Sequence, residues 1–405
     1  MSNAIGSVAN KRLASSFSVK GSVPGGIGHH ASGTESRGTR DRTDTIDDRG
    51  LQTAHQESLA SGAPLVVGFK RGLLAVGRRS GAWRVAAASH GPRRLTVLAY
   101  HRIADHLGSG FIGYAGNASA TPAEFAEQMA WVTERLHPIT LTDLAAAVEG
   151  RGVLPRRPVL VTFDDGYRDN LTAALPVLER YGVPATVFLA TDHIGSDLPF
   201  WWDRAAWALH AAPSRRVALP LLGEVELASD RHSITRQWVQ AAKQLPDVAM
   251  RSAVDALPRE LGVSEKPGAF RGVALTWDDV AAMRGRGVTF EAHTCSHPIL
   301  TRVDPTTAAG QISRSVQRVA EATGAPAIAF AYPNGLRSDV DDAVEAAVAA
   351  AGIRLAFTLA PGPSRWDEVV RRPLRIRRVY LHHDDGIDRF VAKVSGLPRL
   401  LGTMR

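Results

Sequence analysis

Cysteine is almost absent from this sequence. Cys295 is the single one in 405 residues, so no intrachain disulfide can form, and nothing points to an oxidising compartment. Lysine is scarce too: six lysines leave 48 − 6 = 42 arginines among the basic residues. The net charge of +8 would suit an acidic partner, but it reads as a general arginine bias in an Ala- and Gly-rich chain. No basic stretch is interleaved with aromatics, so no nucleic-acid partner is expected. No run of 18 or more apolar residues occurs, so no transmembrane segment is expected. The N-terminus lacks a basic start, a solid apolar stretch and a small-residue cleavage site, so no signal peptide is expected. A cytoplasmic chain is the resulting expectation, with peripheral membrane association left open. Nothing in the sequence sets an oligomeric state.

What is present changes along the chain. Hydrophobic residues make up 44%, enough for a sizeable core. Residues 1–90 contain a stretch, Gly21 to Gly62, rich in Gly, Ser, Thr, Asp and Arg. It offers too little apolar surface to offset its ordering entropy, so a disordered or poorly structured extension is expected. Pro64 to Ala88 reads as a short mixed segment, helix or strand.

From Leu95 onward, short apolar runs alternate with helical stretches. Thr96–Tyr100, Val159–Phe163, Ala185–Leu189, Val288–Ala292, Ala327–Tyr332, Leu355–Leu359 and Ile376–Leu381 lack polar alternation, like strands buried on both faces. Helices are expected over Pro122–Leu136, Asp169–Tyr181, Trp277–Arg286, Thr306–Thr323 and Val340–Ala351. Gly182 and Gly352 close two of them, and Thr276 with Asp279 reads as an N-cap. Strand and helix in alternation give a parallel sheet with crossover helices. Seven strands without a dinucleotide fingerprint favour a barrel. Residues 196–270 break the rhythm, with Phe200-Trp201-Trp202-Asp203 and no clear strand pair, and read as an insertion.

Three segments carry chemistry. Val161 to Tyr167 is an apolar strand ending in Asp164, Asp165 and Gly166. Adjacent strand residues point to opposite sides, so the two carboxylates cannot share one role. One can bind a metal while the other faces a reacting water. An Asp-Gly turn after a strand is the plain alternative. The second segment, Glu291 to Pro298, places His293 and His297 four apart, a metal-ligand spacing if the chain turns helical there. Two unrelated surface histidines are the alternative. Cys295, between them, reads as a core thiol. In the third, Phe330 to Gly335, Pro333 and Gly335 shape a tight loop whose backbone N–H could meet an oxyanion.

In this order, the Thr162-Phe163-Asp164-Asp165-Gly166, His293-Thr294-Cys295-Ser296-His297 and Phe330-Ala331-Tyr332-Pro333-Asn334-Gly335 blocks resemble the NodB-homology polysaccharide deacetylases, carbohydrate esterase family four. Leu98-Ala99-Tyr100-His101-Arg102, Pro184 to Leu189 and Trp201-Trp202-Asp203 are similar to segments of its exopolysaccharide-type members. The resemblance covers roughly Leu95 to Leu401, a deacetylase domain taken as 91–401, and implies a distorted seven-stranded β/α barrel. It implies that Asp165, His293 and His297 bind a divalent metal, usually zinc. Asp164 would be the general base, and the Asn334 N–H part of an oxyanion hole.

The sequence departs from that pattern at Ala331, where many members carry an arginine that steers the base. Arg378 is the implied replacement, with Arg375 the alternative. Leu381-His382-His383 offers His383 as general acid. His101 is read either near the floor of the site or as a core histidine. Tyr332 and Trp202 could line a sugar groove, although packing is the default for aromatics. The implied activity is removal of acetyl groups from N-acetylated polysaccharide or oligosaccharide, of exopolysaccharide or chitooligosaccharide type. An O-acetyl esterase or cyclic amidase on the same scaffold, or a carbohydrate-binding pseudoenzyme, are the competing readings.

Overall fold

Leu95 to Tyr100 are all buried, as in a strand covered on both faces. A computed structural model describes residues 94–396 apart from 109 and 229. The extension expected over 1–90 and the segment Pro64–Ala88 lie outside the described residues. Seven strands, β1 (Arg94–Tyr100), β2 (Pro158–Phe163), β3 (Ala185–Leu189), β4 (Val288–Ala292), β5 (Ala329–Ala331), β6 (Leu355–Pro361) and β7 (Ile376–Tyr380), pair in sequential order. All seven pairings are parallel, and β7 returns to β1 to close a barrel. These are the seven strands expected from the sequence. The barrel is uneven: β4 meets β5 at the single pair Phe330↔Ala292, and β6 shifts register against β7. Glu291 compensates at the weak seam, where its Oε2 accepts the N–H groups of Ile328 and Ala329 at 2.8 Å each.

Side-chain alternation sorts the strands into two layers. Leu98, Tyr100, Val159, Val161, Phe163, Val187 and Leu189 join one cluster with the surrounding helices, including Phe125, Leu175 and Ile312. Leu95, Val97, Leu160, Phe188, Phe357 and Ile376 join a second cluster inside the ring. Because the period is two, the inward set continues at the carboxyl ends to His101, Asp164, His293 and Arg378. Register keeps those ends level: Tyr100 pairs with Phe163, and Leu189 with Ala292.

The helices start where side chains can cap them. Thr121 with Glu124, Thr140 with Asp143 and Thr276 with Asp279 form reciprocal capping boxes on Pro122–Arg135, Leu141–Val148 and Trp277–Met283. The helix expected over Asp169–Tyr181 instead opens with a widened π turn, Asn170–Ala174, before Leu175–Tyr181. That turn aims Asn170 at the first strand, where its Nδ2 donates to the His101 carbonyl at 2.8 Å.

Between β3 and β4 the helices Trp201–Ala211, Arg231–Ala242 and Asp247–Leu261 build a separate apolar cluster around Trp238. The sequence showed no strand pair here, yet Arg216–Leu219 and Gly223–Glu226 form an antiparallel hairpin. Its strands are short and mostly exposed, with only Leu219 buried, so they carry no hydrophobic pattern to read. The insertion is tied to the barrel through Asp203. Its Oδ1 accepts the Tyr114 N–H at 2.7 Å and its Oδ2 the Tyr167 hydroxyl at 2.9 Å, while Trp202 Nε1 donates to that hydroxyl oxygen at 2.8 Å. Burial raises the Asp203 pKa to about 6 against the opposing pull of Arg102.

Removing this carboxyl leaves two buried donors without an acceptor, each costing about 1–3 kcal/mol. Asp203→Ala is expected to lower stability by about 2–4 kcal/mol, read from urea unfolding. A change within about 0.5 kcal/mol would show that the network does not anchor the insertion.

Candidate metal centre and active site

Asp165 stands just past the end of β2 in the left-handed region, with φ of 74°. The reversal there, rather than strand alternation, separates the two carboxylates: Asp164 stays in line with the inward face while Asp165 turns aside. Gly166 follows at φ 86°, where a Cβ would lie 2.7 Å from Ile194 Cδ1 and 2.8 Å from Leu189 Cδ2. Only glycine fits.

The two histidines reach Asp165 through an irregular bend, not the helical turn their spacing suggested. Thr294 and His297 both have positive φ, 65° and 56°, and Thr294 Oγ1 accepts the His297 N–H at 3.1 Å. Of the six non-glycine residues with positive φ among the described residues, four (Asp165, Thr294, His297 and Asn334) lie in this site. Such conformations concentrate where function over-determines the backbone.

His293 Nε2 and His297 Nε2 stand 3.5 and 3.4 Å from Asp165 Oδ1. Those separations exceed a charge-assisted hydrogen bond of about 2.7–2.9 Å. They match the edge of a tetrahedron with metal–ligand distances of about 2.0–2.1 Å, which is about 3.3–3.4 Å. Both Asp165 oxygens are buried without a hydrogen-bond donor. A buried carboxylate in that condition is costly unless a cation is present, so the residues fit a divalent ion. The His293 Nδ1–H donates to the Ala331 carbonyl at 2.6 Å, which leaves Nε2 as the ligand atom. Burial lowers the His297 pKa to about 3, keeping it in the neutral form that metals need. Burial alone would raise the Asp165 pKa, but His293, His101 and His297 hold it well below the usual carboxylate range. Cys295 is buried beside Gln311, whose carbonyl its Sγ approaches at 3.5 Å, and is not among the group of potential ligands.

Arg378 is fully buried and grips Asp164 with both ends of its fork, Nη1 to Oδ1 at 2.6 Å and Nη2 to Oδ2 at 2.7 Å. Thr162 Oγ1 and the Thr358 carbonyl accept its remaining donors at 3.3 Å each. Burial would push the Asp164 pKa up; Arg378 more than offsets it, and the carboxyl titrates below its usual range. Arg375 points elsewhere, to Asp342 at 2.8 Å and to Glu345.

Two of the expected roles fall on His383 and Tyr332. His383 lies with His106, His382 and Asp384. The histidines that act most strongly on Asp164 and Asp165 are His293, His297 and His101. His101 is buried, its Nδ1 has no partner, and it makes no side-chain hydrogen bond among the described residues. The inward parity of β1 was the signal that could have selected it. Tyr332 does not line a groove: its ring is buried against Phe330 and its hydroxyl donates to the Leu374 carbonyl at 3.0 Å.

Asn334 has φ of 60°, and its backbone N–H makes no hydrogen bond among the described residues. Its side chain is clamped. Lys243 Nζ, from the end of the insertion helix Arg231–Ala242, donates to Oδ1 at 2.9 Å, and Nδ2 donates to Asp339 Oδ2 at 2.7 Å. Sequence reasoning missed Lys243, which lies in no motif. A cleft beside His297 is lined by Trp201, Trp202, Lys243, Asp247, Met250 and Asn334, and the Trp202 ring meets the His297 ring edge-on at 4.6 Å.

A sequence profile of the family described as polysaccharide deacetylase matches residues 151–356, just over half of the chain. Over 83 residues, 20% of this chain and 28% of the relative, the sequence is 40% identical to poly-beta-1,6-N-acetyl-D-glucosamine N-deacetylase of Staphylococcus epidermidis. Over 108 residues, 25% of this chain and 37% of the relative, it is 27% identical to the protein of that name from Staphylococcus aureus. The chain thus matches about a third of the length of these curated relatives. Among solved structures, the Streptococcus pyogenes deacetylase PplD in complex with acetate aligns at 17% identity and a TM-score of 0.49, covering 78% of this chain and 99% of that one. IcaB from Ammonifex degensii aligns at 18% identity and a TM-score of 0.48, covering 74% and 96%.

Removing one partner of a buried ion pair typically costs about 3–5 kcal/mol. Arg378→Met should therefore destabilise the fold by about that amount, and adding Asp164→Leu should recover much of it. Urea unfolding of the two variants is the check. A double variant no more stable than the single one would contradict the pairing energetics.

Proposed function

The chain belongs to the polysaccharide deacetylase family, and on that premise we propose that it is a metal-dependent hydrolase removing N-acetyl groups from a glycan of N-acetylated sugars. The observation that carries this reading is the donor-free buried carboxylate of Asp165 facing two imidazoles, with a second, ionised carboxylate beside it. Asp165, His293 and His297 would hold the ion, for which zinc is the first choice because two imidazoles and a carboxylate with positions left for ligands suit it. When bound, such an ion polarises the acetyl carbonyl and lowers the pKa of water.

The remaining work falls to the chain. Asp164 accepts the proton of the attacking water, and Arg378 keeps it ionised and fixes its orientation. The free Asn334 N–H donates to the oxygen on which negative charge develops, with its loop held by Lys243 and Asp339. The sugar nitrogen must gain a proton before it can leave. His101 is the imidazole placed to supply it. Burial holds the His101 pKa below its ordinary value, with Asp165 and Asp164 pulling the other way; the ring takes a proton from solvent as negative charge develops beside it and passes that proton to the nitrogen as the C–N bond breaks, while the proton taken by Asp164 returns to solvent. Nδ1 is closed off, leaving Nε2 for the transfer. The products are acetate and a free amine.

Trp201, half-buried at the cleft, offers an apolar face of the kind that sugar rings stack on. The two staphylococcal relatives are named for poly-β-1,6-N-acetyl-D-glucosamine, which makes that polymer and N-acetylglucosamine oligomers the first substrates to test. Their acetate release against that from an O-acetylated glycan separates the amidohydrolase from the esterase reading; release only from the ester would overturn it.

Asp164→Asn is expected to lower turnover by about 10²–10⁴ while metal content stays near wild type, whereas His293→Ala should lose the metal. Activity and elemental analysis on the same preparations check both, and near-native activity in Asp164→Asn would remove it as the base. His101→Ala should slow N-deacetylation far more than hydrolysis of an aryl acetate, whose leaving group needs no proton. If His383→Ala shows that contrast and His101→Ala does not, the acid has been misassigned.

A further inference from the structure

A second group of donors stands at the carboxyl end of the barrel, where β7 gives way to a turn. We propose that His382, His383 and Asp384, with His106 beside them, form a second site for a first-row divalent cation such as zinc. The proposal does not rest on the deacetylase reading. Donor atoms of the three consecutive residues all lie within 4.8 Å of one another, as do those of Asp165, His293 and His297, and these are the two such groups among the described residues. His383 Nδ1 is 3.3 Å from Asp384 Oδ1, and His382 Nδ1 is 3.5 Å from Asp384 Oδ2. These are again longer than a charge-assisted hydrogen bond, with the two nitrogens facing different oxygens of the one carboxylate. The contact from the Asp384 N–H to His382 Nδ1, at 3.4 Å, is too long to hold that lone pair firmly.

The turn is fixed before any ion arrives. The His382 N–H donates to Asp385 Oδ2 at 2.9 Å, and the His383 N–H to the Ala118 carbonyl at 3.0 Å. Asp385 is itself buried, paired with Lys393 and within 3.0 Å of Arg389 Nε. Such bracing reduces the ordering that metal binding would otherwise require. Rings of His106 and His382 flank that of His383 at 3.9 and 4.0 Å. His106 Nδ1 is closed to solvent and without a partner. His382, His383 and Asp384 offer two nitrogens and a carboxylate, with Asp384 exposed enough for exchange with solvent. An occupied site would tie the loop after His101 and Arg102 to the turn after the strand that carries Arg378.

The test is zinc stoichiometry by equilibrium dialysis and elemental analysis on tag-free, metal-stripped full-length protein, with circular dichroism to verify folding. Wild type is expected to take up two equivalents. The His382→Ala/His383→Ala double variant should keep one, Asp165→Asn should keep one, and the combination none. Should the double variant fail to fold, Asp384→Asn with His106→Ala replaces it, with the same expected loss of one equivalent. A single wild-type equivalent that the double variant keeps, or two equivalents retained without these histidines, would overturn the second site. Failure of the Asp165 centre shows separately, as an equivalent that persists in Asp165→Asn while the double variant binds none.

Discussion

A carboxylate buried with no hydrogen-bond donor on either oxygen is the constraint around which this molecule is arranged. Asp165 sits in that position, with the imidazole nitrogens of His293 and His297 3.5 and 3.4 Å from one of its oxygens. Nearby groups are ordered by the same demand. The Ala331 carbonyl holds His293 in one tautomer, and the bend at Thr294 and His297 brings the second ring to the same oxygen. Arg378 cannot serve Asp165, because both ends of its fork are committed to Asp164. Two adjacent carboxylates thus have two electrostatic fates, one neutralised by arginine and one left for a cation. On the proposed function, that division would let a single dipeptide provide both a ligand and a base.

The barrel supplies precision at low cost in sequence. Parallel strands with level ends and a two-residue side-chain period place His101, Asp164, His293 and Arg378 on one inner surface, though they come from β1, β2, β4 and β7. The insertion adds what the barrel lacks, a wall of indole rings and the Lys243 clamp on Asn334. Asp203 joins the two through Tyr167, two residues after Asp165.

Most of the scaffold was legible because buried parallel strands are continuous apolar runs, and each of the seven was readable as such. The short hairpin was not, since its strands are largely exposed and flank a Pro-Leu-Leu-Gly turn without a clear alternating pattern. The carboxylates and both histidines stood out through their places at strand ends. Their geometry did not, because left-handed residues at Asp165, Thr294 and His297 obey neither strand nor helix periodicity. His383 drew attention through a motif, whereas His101 needed strand parity combined with knowledge of which cluster faces inward. Tyr332 was offered to the groove although the same parity places it with Phe330 and the outer core.

The central claim is that an ion occupies the space between Asp165, His293 and His297, and diffraction from zinc-soaked crystals at the zinc absorption edge tests it most directly. The account predicts an anomalous peak about 2.0–2.2 Å from an Asp165 carboxylate oxygen and from Nε2 of both histidines. A fully loaded crystal with no peak there, or with those side chains bonded to one another instead, would contradict it.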